Sequence, residues 1–311
     1  MTKNKTYKIL VTWRLMIKFL KNQNKSYKNI DFDFIQKKQG LIEKELLNII
    51  HKYDGIICGD DQITPKVIDN AKKLKVISKW GTGMDTISVD YAKKNKIRVF
   101  NTPNAFSKSV AQLALSFILS FSRHTFETHN SIKKGDWPKY EGFLIKNKIV
   151  GIIGFGNIGK FISKLVLKLG MKVIFNDIKK TKKILNKNIK KVTLTKLLKN
   201  SDILITSCDL NKSSFNLINK SKLALMKKTS GVINISRGGV INENDLYQFL
   251  KKEKIAFGAL DVFLKEPINK QNKLINLKNC ILSSHNAFNT AEEVRNVNIN
   301  TLKNIFKGLK I

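Results

Sequence analysis

Residues 149–177 read IVGIIGFGNIGKFISKLVLKLGMKVIFND, and their interpretation decides the fold. The stretch opens on a short apolar run, 149–153, of the kind found in strands covered on both faces of a parallel sheet. Gly154, Gly156 and Gly159 follow at G-x-G-x-x-G spacing. Ile158, Ile162, Leu165, Val166 and Leu169 then recur as one face of a helix, which Gly170 stops. A second strand, 173–175, leads to Asn176 and Asp177. Strand, glycine turn, helix, strand and terminal acid stand in the order of a dinucleotide-binding βαβ half-unit.

Each part has a physical task. Gly154 permits the tight turn, Gly156 lets backbone N–H groups approach a pyrophosphate, and Gly159 lets the helix pack close to the strand. The helix start at Asn157 and Ile158 offers unsatisfied N–H donors and a partial positive charge to phosphate. Asp177 can accept from a ribose diol and repels a 2′-phosphate, which favours NAD over NADP; Lys179 and Lys180 weigh slightly the other way. The segment 154–160 also fits the G-x-x-x-x-G-K of an ATP phosphate loop. The next residue is Phe161, so the hydroxyl that such a loop gives to magnesium is missing.

The chain has 311 residues, enough for two cores, with 58 basic and 23 acidic side chains and a formal charge of +35. Arginine occurs only at Arg14, Arg98, Arg123, Arg237 and Arg295. The lysines are spread along the whole chain among many Asn and Ile. That pattern fits solvated faces rather than a specific nucleic-acid surface, though it would attract anionic substrates in a salt-sensitive way. Cys58, Cys208 and Cys280 show no metal or redox spacing and read as buried free thiols in a reducing, cytoplasmic setting. No apolar run approaches the length of a membrane span. Arg14 and Lys18 break up the N-terminal apolar stretch, so residues 8–12 read as a first strand and not as a signal peptide.

Strands are expected at 8–12, 56–58, 76–78 and 98–100, with helical patterns at 41–51 and 65–73, the latter with Pro65 in its first turn. Such alternation means a parallel sheet covered by helices. The glycines of residues 80–85, WGTGMD, follow a strand directly and can expose backbone N–H groups to a carboxylate. Asn101-Thr102-Pro103 marks a break, followed by a long helix over 106–123 and a polar segment with Gly135, Trp137 and Pro138. After Asp177, strands recur at 203–206, 231–234, 257–260 and 280–282, making a second doubly wound sheet. A last helix begins at Thr290, with Thr290-x-x-Glu293 as a capping box and Gly308 as its end.

Three polar residues follow strands of the second sheet: Arg237, Glu266 and His285. In a doubly wound sheet such positions converge beside the nucleotide crevice. Hydride transfer to or from a nicotinamide calls for such a set. An imidazole exchanges the alcohol or carbonyl proton, a carboxylate holds that imidazole and favours its cation, and a guanidinium grips a carboxylate with two parallel hydrogen bonds. His51, His124 and His129 lack such partners and read as structural.

With GFGNIG and Asp177, NISRGG, LDVFLKEP and SHNA in this order and spacing, the chain resembles the D-isomer-specific 2-hydroxyacid dehydrogenase family, most closely its phosphoglycerate dehydrogenase-like members. The resemblance covers residues 8–308. It implies an α/β protein of two doubly wound parallel-sheet domains, a Rossmann NAD-binding domain and a flavodoxin-like split substrate domain. The substrate domain would comprise residues 1–100 and the returning segment 287–311, with the nucleotide domain at 101–286. It implies a homodimer, Arg237, Glu266 and His285 as catalytic residues, and Gly81, Thr82 and Gly83 with Arg237 as the substrate-carboxylate site. It also implies Gly154, Gly156, Asn157, Ile158, Gly159, Asp177 and Asp261 at NAD, and no metal.

Three departures stand out. Phosphoglycerate enzymes usually carry an arginine after the strand at 56–58, where this chain has Gly59-Asp60-Asp61; an acidic pair there disfavours a phosphorylated substrate. Ser207-Cys208-Asp209 replaces the usual His-x-Pro. An appended regulatory domain, and feedback control through it, is not expected. The expected activity is NAD-dependent interconversion of a D-2-hydroxy acid and its 2-oxo acid. The alternatives are a glyoxylate/hydroxypyruvate-type reductase, or a non-catalytic NADH-sensing binding protein of the same fold.

Overall fold

The computed structural model describes residues 6–23, 27–37, 40–180 and 186–311. They form two units, one of Met1–Phe106 with Asn289–Ile311, the other of Ser107–Phe288.

The first unit holds strands β1 (Tyr7–Val11), β2 (Ile30–Phe34), β3 (Gly55–Cys58), β4 (Val76–Lys79) and β5 (Arg98–Phe100) in the order β2-β1-β3-β4-β5, all parallel. β3 and β4 are buried at every residue; β3 reads as an unbroken apolar run, whereas β4 ends on the polar pair Ser78-Lys79. β2 was not expected. It lies at the sheet edge and its sequence IDFDF alternates exposed aspartates with half-buried apolar residues. The helical pattern at 41–51 is a helix Glu43–Leu47 followed by a 3₁₀ turn, Ile50–Lys52. Pro65 opens the helix Pro65–Asn70, where the Thr64 side chain caps the Val67 N–H.

The unit keeps residues 101–106 because Thr102 N–H donates to the Gly81 carbonyl at 2.9 Å and Phe106 packs on Trp80. The last helix, Ala291–Leu309, closes this unit. Its Asn298 accepts from the Trp80 indole at 2.6 Å, its Thr301 carbonyl accepts from Ser78 at 3.0 Å, and its Gly308 carbonyl accepts from Arg98 at 2.7 Å. Two expectations at its ends need correction. Thr290 is the N-cap residue, but its side chain makes no capping hydrogen bond. Gly308 lies inside the helix, and Lys310, in the left-handed region, ends it. A Cβ on Gly308 would stand 2.2 Å from a methyl of Val76, so the glycine serves close packing of helix on sheet.

The second unit holds β6 (Ile149–Ile153), β7 (Lys172–Asn176), β8 (Ile189–Lys191), β9 (Ile203–Thr206), β10 (Gly231–Asn234), β11 (Phe257–Leu260) and β12 (Cys280–Leu282) in the parallel order β12-β11-β10-β9-β6-β7-β8. The strand order reverses between β6 and β9, which puts a switch-point crevice at their carboxyl ends. β8, an exposed edge strand of sequence IKK, carried no apolar signal. A helix at Ser107–Arg123 packs beside the helix Asn157–Lys168. A short helix, Thr125–Ile132, which the polar composition concealed, buries no residue. Among the described residues, no helix is long and apolar enough to cross a membrane.

Candidate active site

The glycine turn after β6 does what its spacing asked. Gly154 has φ +87°, and a Cβ there would meet the backbone of Cys208 at 2.7 Å. A Cβ on Gly159 would lie 2.5 Å from the Gly154 carbonyl oxygen, so this glycine sets the helix-to-strand distance. Gly156 differs from both. Its backbone is extended and nothing lies within 4 Å of where its Cβ would be. The fold does not require a glycine here, whereas a pyrophosphate approaching the backbone does. The helical hydrogen-bond ladder begins with Lys160 N–H donating to the Gly156 carbonyl, so the amides of Ile158 and Gly159 precede it.

Asp177 is tied to this turn. One of its oxygens accepts from Phe155 N–H and the other from Lys179 N–H, both at 2.7 Å. Each oxygen keeps a lone pair, and the carboxylate borders the loop where a ribose would lie. Ser207 takes over part of the same edge: its hydroxyl donates to the Gly154 carbonyl at 2.7 Å. The departure at 207–209 thus supplies its own tie to the glycine loop.

Arg237, Glu266 and His285 follow the carboxyl ends of the neighbouring strands β10, β11 and β12. His285 Nδ1 lies 2.7 Å from Glu266 Oε2, and Glu266 Oε1 accepts from Phe263 N–H at 2.9 Å, so both carboxylate oxygens are occupied. Nε2 is thereby left as the imidazole atom for substrate. Burial pulls the His285 pKa down, but the hydrogen bond and charge of Glu266 outweigh it and the net shift is upward; Arg237 opposes and Asp261 adds. The Arg237 charge thus reaches the imidazole. The guanidinium also folds back to donate to the Ser236 carbonyl at 2.8 Å.

His285 has φ +52°, a conformation that costs a non-glycine residue energy unless its surroundings impose it. Asp261 imposes it. This carboxylate is buried, its oxygens accept from Asn286 and Ala287 N–H at 2.9 and 3.1 Å, and its carbonyl accepts from His285 N–H at 2.7 Å. Asp261, expected at the cofactor, is seen holding the turn that carries the histidine. Asn234 and Thr206, both buried beside the Arg237 turn, escaped the sequence reading. Their signal was a pair of polar residues at the ends of otherwise apolar strands.

In the first unit, Gly81 has φ +107°, but its N–H is already donated to Thr102 Oγ1 at 3.1 Å. Of Gly81, Thr82 and Gly83, expected together at a substrate carboxylate, Gly81 thus spends its amide within the loop. The acidic pair also needs correction. Asp61 is 1% exposed and accepts from Thr12 Oγ1, Leu41 N–H and Gly59 N–H. Burial pushes its pKa up, against the pull of those hydrogen bonds. It clamps the loop from a buried position. Asp60 pairs with the buried Lys79 at 3.1 Å. A Cβ at Gly59 would fall 2.1 Å from the Trp13 ring, so indole fills the place where a longer side chain would begin.

Cys58 and Cys280 are buried and Cys208 is half-buried; all three are unpaired. Burial raises each thiol, Cys208 to about 11 and Cys280 to about 12. None is a nucleophile at neutral pH. Among the described residues, no cluster of metal-ligating side chains occurs.

Comparison with known proteins gives a consistent result. Residues 115–287 match the family model for the D-isomer specific 2-hydroxyacid dehydrogenase NAD binding domain. A hydroxypyruvate reductase from Thermotoga maritima is 37% identical over 276 residues, covering 87% of this chain and 90% of that protein. A D-3-phosphoglycerate dehydrogenase from Archaeoglobus fulgidus is 32% identical over 284 residues; the match covers 89% of this chain but 54% of that protein. Among solved structures, the TT0316 protein from Thermus thermophilus superposes with a TM-score of 0.88 at 24% identity, covering 97% of both chains, which is a likeness of fold.

Proposed function

Because the chain belongs to the D-isomer-specific 2-hydroxyacid dehydrogenase family, and so is an NAD-dependent oxidoreductase acting on a CH–OH donor, we propose that it interconverts a small, unphosphorylated 2-oxo acid and its D-2-hydroxy acid. Glyoxylate and hydroxypyruvate are the size intended. The observation that carries this choice is the loop after β3. Trp13 occupies the space beside Gly59, and the buried Lys79 is paired with Asp60. A phosphate-reading arginine has no room at position 59, and the nearby cation already has a carboxylate. The similarity to a hydroxypyruvate reductase supports the same reading.

The cofactor fits the residues present: the empty space at Gly156, the helix amides at Ile158 and Gly159, and Asp177 for the ribose. Bound as NADH, it supplies the hydride that reaches the substrate carbonyl carbon. Arg237 holds the substrate carboxylate as a planar fork. His285 donates its Nε2 proton to the carbonyl oxygen as that oxygen gains charge, and takes a proton back in oxidation. Glu266 keeps the ring oriented through Nδ1 and stabilises its cation. Asp261 holds the backbone on which His285 stands.

Two further elements belong to this reading. A homodimer is supported by one stretch of the second unit that leaves Phe126, Ile132, Trp137, Tyr140 and Leu144 exposed, the tryptophan at 78% and the leucine at 81%. Light scattering should give twice the mass of the chain; a monomer at micromolar concentration overturns the pairing. The three unpaired thiols support a reducing, cytoplasmic setting.

The substrate reading is tested by following NADH absorbance with glyoxylate, hydroxypyruvate and phosphohydroxypyruvate. The first two should be used at least as well as the third. A strong preference for the phosphorylated acid refutes the choice of substrate class, and NADH binding without turnover of any 2-oxo acid favours a cofactor-sensing protein.

A further inference from the structure

Asn234 ends β10 with 1% of its surface exposed, a position where an apolar residue would suit the strand. Both ends of its amide are engaged. Oδ1 accepts from Thr206 Oγ1 at 2.8 Å, from Ser236 N–H at 3.1 Å and from Ser236 Oγ at 2.9 Å. Nδ2 donates to the backbone carbonyl of Arg237 at 3.0 Å. The backbone partners fix which way the amide points, since the Ser236 N–H can only donate and the Arg237 carbonyl can only accept.

Thr206 is the register partner of Asn234 on β9. One side chain therefore ties together the ends of two strands and the peptide that carries Arg237. Of its bonds, only the one from Nδ2 reaches past the turn to Arg237 itself. The Arg237 guanidinium leans on the Ser236 carbonyl within that turn, and Asn234 holds the peptides on either side of that carbonyl, through Ser236 N–H and the Arg237 carbonyl, so the aim of the guanidinium depends on the turn that Asn234 fixes. A buried amide is costly unless all its bonds are made, and a network satisfied in this way is rigid.

We propose that Asn234 is a positioning residue that sets the direction of the Arg237 side chain toward the substrate carboxylate. This rests on the reading that Arg237 binds that carboxylate. Asn234 touches neither substrate nor cofactor and acts through Arg237 alone.

The test uses the full chain with NADH and the best 2-oxo acid found. Asn234→Asp keeps the acceptor toward Thr206 and Ser236 but replaces the donor with an oxygen that repels the Arg237 carbonyl. Asn234→Ser is too short to reach the Arg237 carbonyl, adds no buried charge, and decides the matter where Asn234→Asp does not fold. Thr206→Val removes one donor to Oδ1 and leaves the Nδ2 contact in place. The Asn234 variants should raise KM for the 2-oxo acid by roughly tenfold or more, the scale of one lost hydrogen bond to a positioned group, with a smaller fall in kcat and an unchanged Kd for NADH. Thr206→Val should lower Tm yet keep KM within about twofold, since it spares that contact. Wild-type KM in folded Asn234→Ser, or an equal KM rise in Thr206→Val, overturns the proposal. Arg237→Ala serves as the reference. If it also leaves KM unchanged, the reading of Arg237 fails with it; if it raises KM while Asn234→Ser does not, the positioning role alone fails.

Discussion

Gly156→Ala separates what the ligand demands from what the fold demands. The backbone at Gly156 is extended and the new methyl group would meet nothing within 4 Å. Alanine reduces the freedom of the unfolded chain, worth about 0.4–1 kcal/mol in favour of folding, and is a poorer N-cap than glycine by a similar amount. The stability of the free protein should thus stay within about 1 kcal/mol of wild type. The same methyl group points into the space a pyrophosphate needs. Losing one charge-assisted hydrogen bond costs about 1.5–3 kcal/mol, or roughly 10- to 150-fold in Kd. With NADH at 100 times the wild-type Kd, bound cofactor stabilises wild type by about 2.7 kcal/mol; a 100-fold weaker variant keeps about 0.4 kcal/mol. On a scale of about 2–4 °C per kcal/mol, the NADH-induced rise in Tm should shrink from roughly 5–10 °C to 1–2 °C. The assay is thermal unfolding with and without NADH, beside Gly154→Ala and Gly159→Ala. Those two should lower Tm without ligand, because their Cβ atoms meet backbone at 2.7 and 2.5 Å. A full NADH shift in Gly156→Ala, or a collapse of its free stability, refutes the reasoning.

Other outcomes follow from the same geometry. Reduction needs His285 protonated, so its rate should fall as pH rises through the raised His285 pKa; Glu266→Gln removes the carboxylate that raises it and should move that falling limb to lower pH. An unmoved limb in pH–rate profiles, with chemistry limiting, separates the two residues. Asp177→Ala should narrow the preference for NADH over NADPH by removing the charge that repels a 2′-phosphate, and equal wild-type affinities for both would count against that role. Arg237→Lys should not restore catalytic efficiency with any 2-oxo acid while NADH binding persists, since a point charge cannot replace the fork; kinetics equal to wild type would exclude bidentate binding. Gly308→Ala should lower stability by about 1–3 kcal/mol despite the better helix propensity, because its methyl group overlaps Val76, and Val76→Ala should recover part of the loss in a double-mutant cycle.

The legible parts of the sequence were those where one physical demand dominates. Buried central strands show as apolar runs, and 149–153, 203–206, 231–234 and 257–260 coincide with the strands observed. The edge strands Ile30–Phe34 and Ile189–Lys191 pair on one side only and are partly exposed, so no apolar run marked them. His285 and Glu266 could be named because polar residues after strands of a doubly wound sheet have a defined place. The roles of Asp61, Asp261 and Gly308 could not be read in the same way. Asp61 read as half of an acidic pair facing substrate, yet its function is set by Thr12 and Leu41, distant in sequence. Asp261 read as a ligand group, yet it holds amides 25 and 26 residues away. Gly308 read as a helix stop, yet its reason is a strand more than 200 residues earlier.

That last contact bears on how the chain is made. Strand β4 is finished by residue 79, but Asn298, Thr301 and Gly308, which cover Trp80, Ser78 and Val76, are synthesised more than 200 residues later. At about 5–20 residues per second, the first unit waits roughly 10–40 seconds for its closing helix. The whole of the second unit emerges within that interval and has every strand it needs to fold first. Until then the nascent chain carries an uncovered face of β4, and beside it Trp80 without its Asn298 partner. A chaperone that binds apolar strands has its longest opportunity there, and a premature stop a few residues short of Ala291 would leave a nucleotide-binding unit attached to a sheet that cannot close.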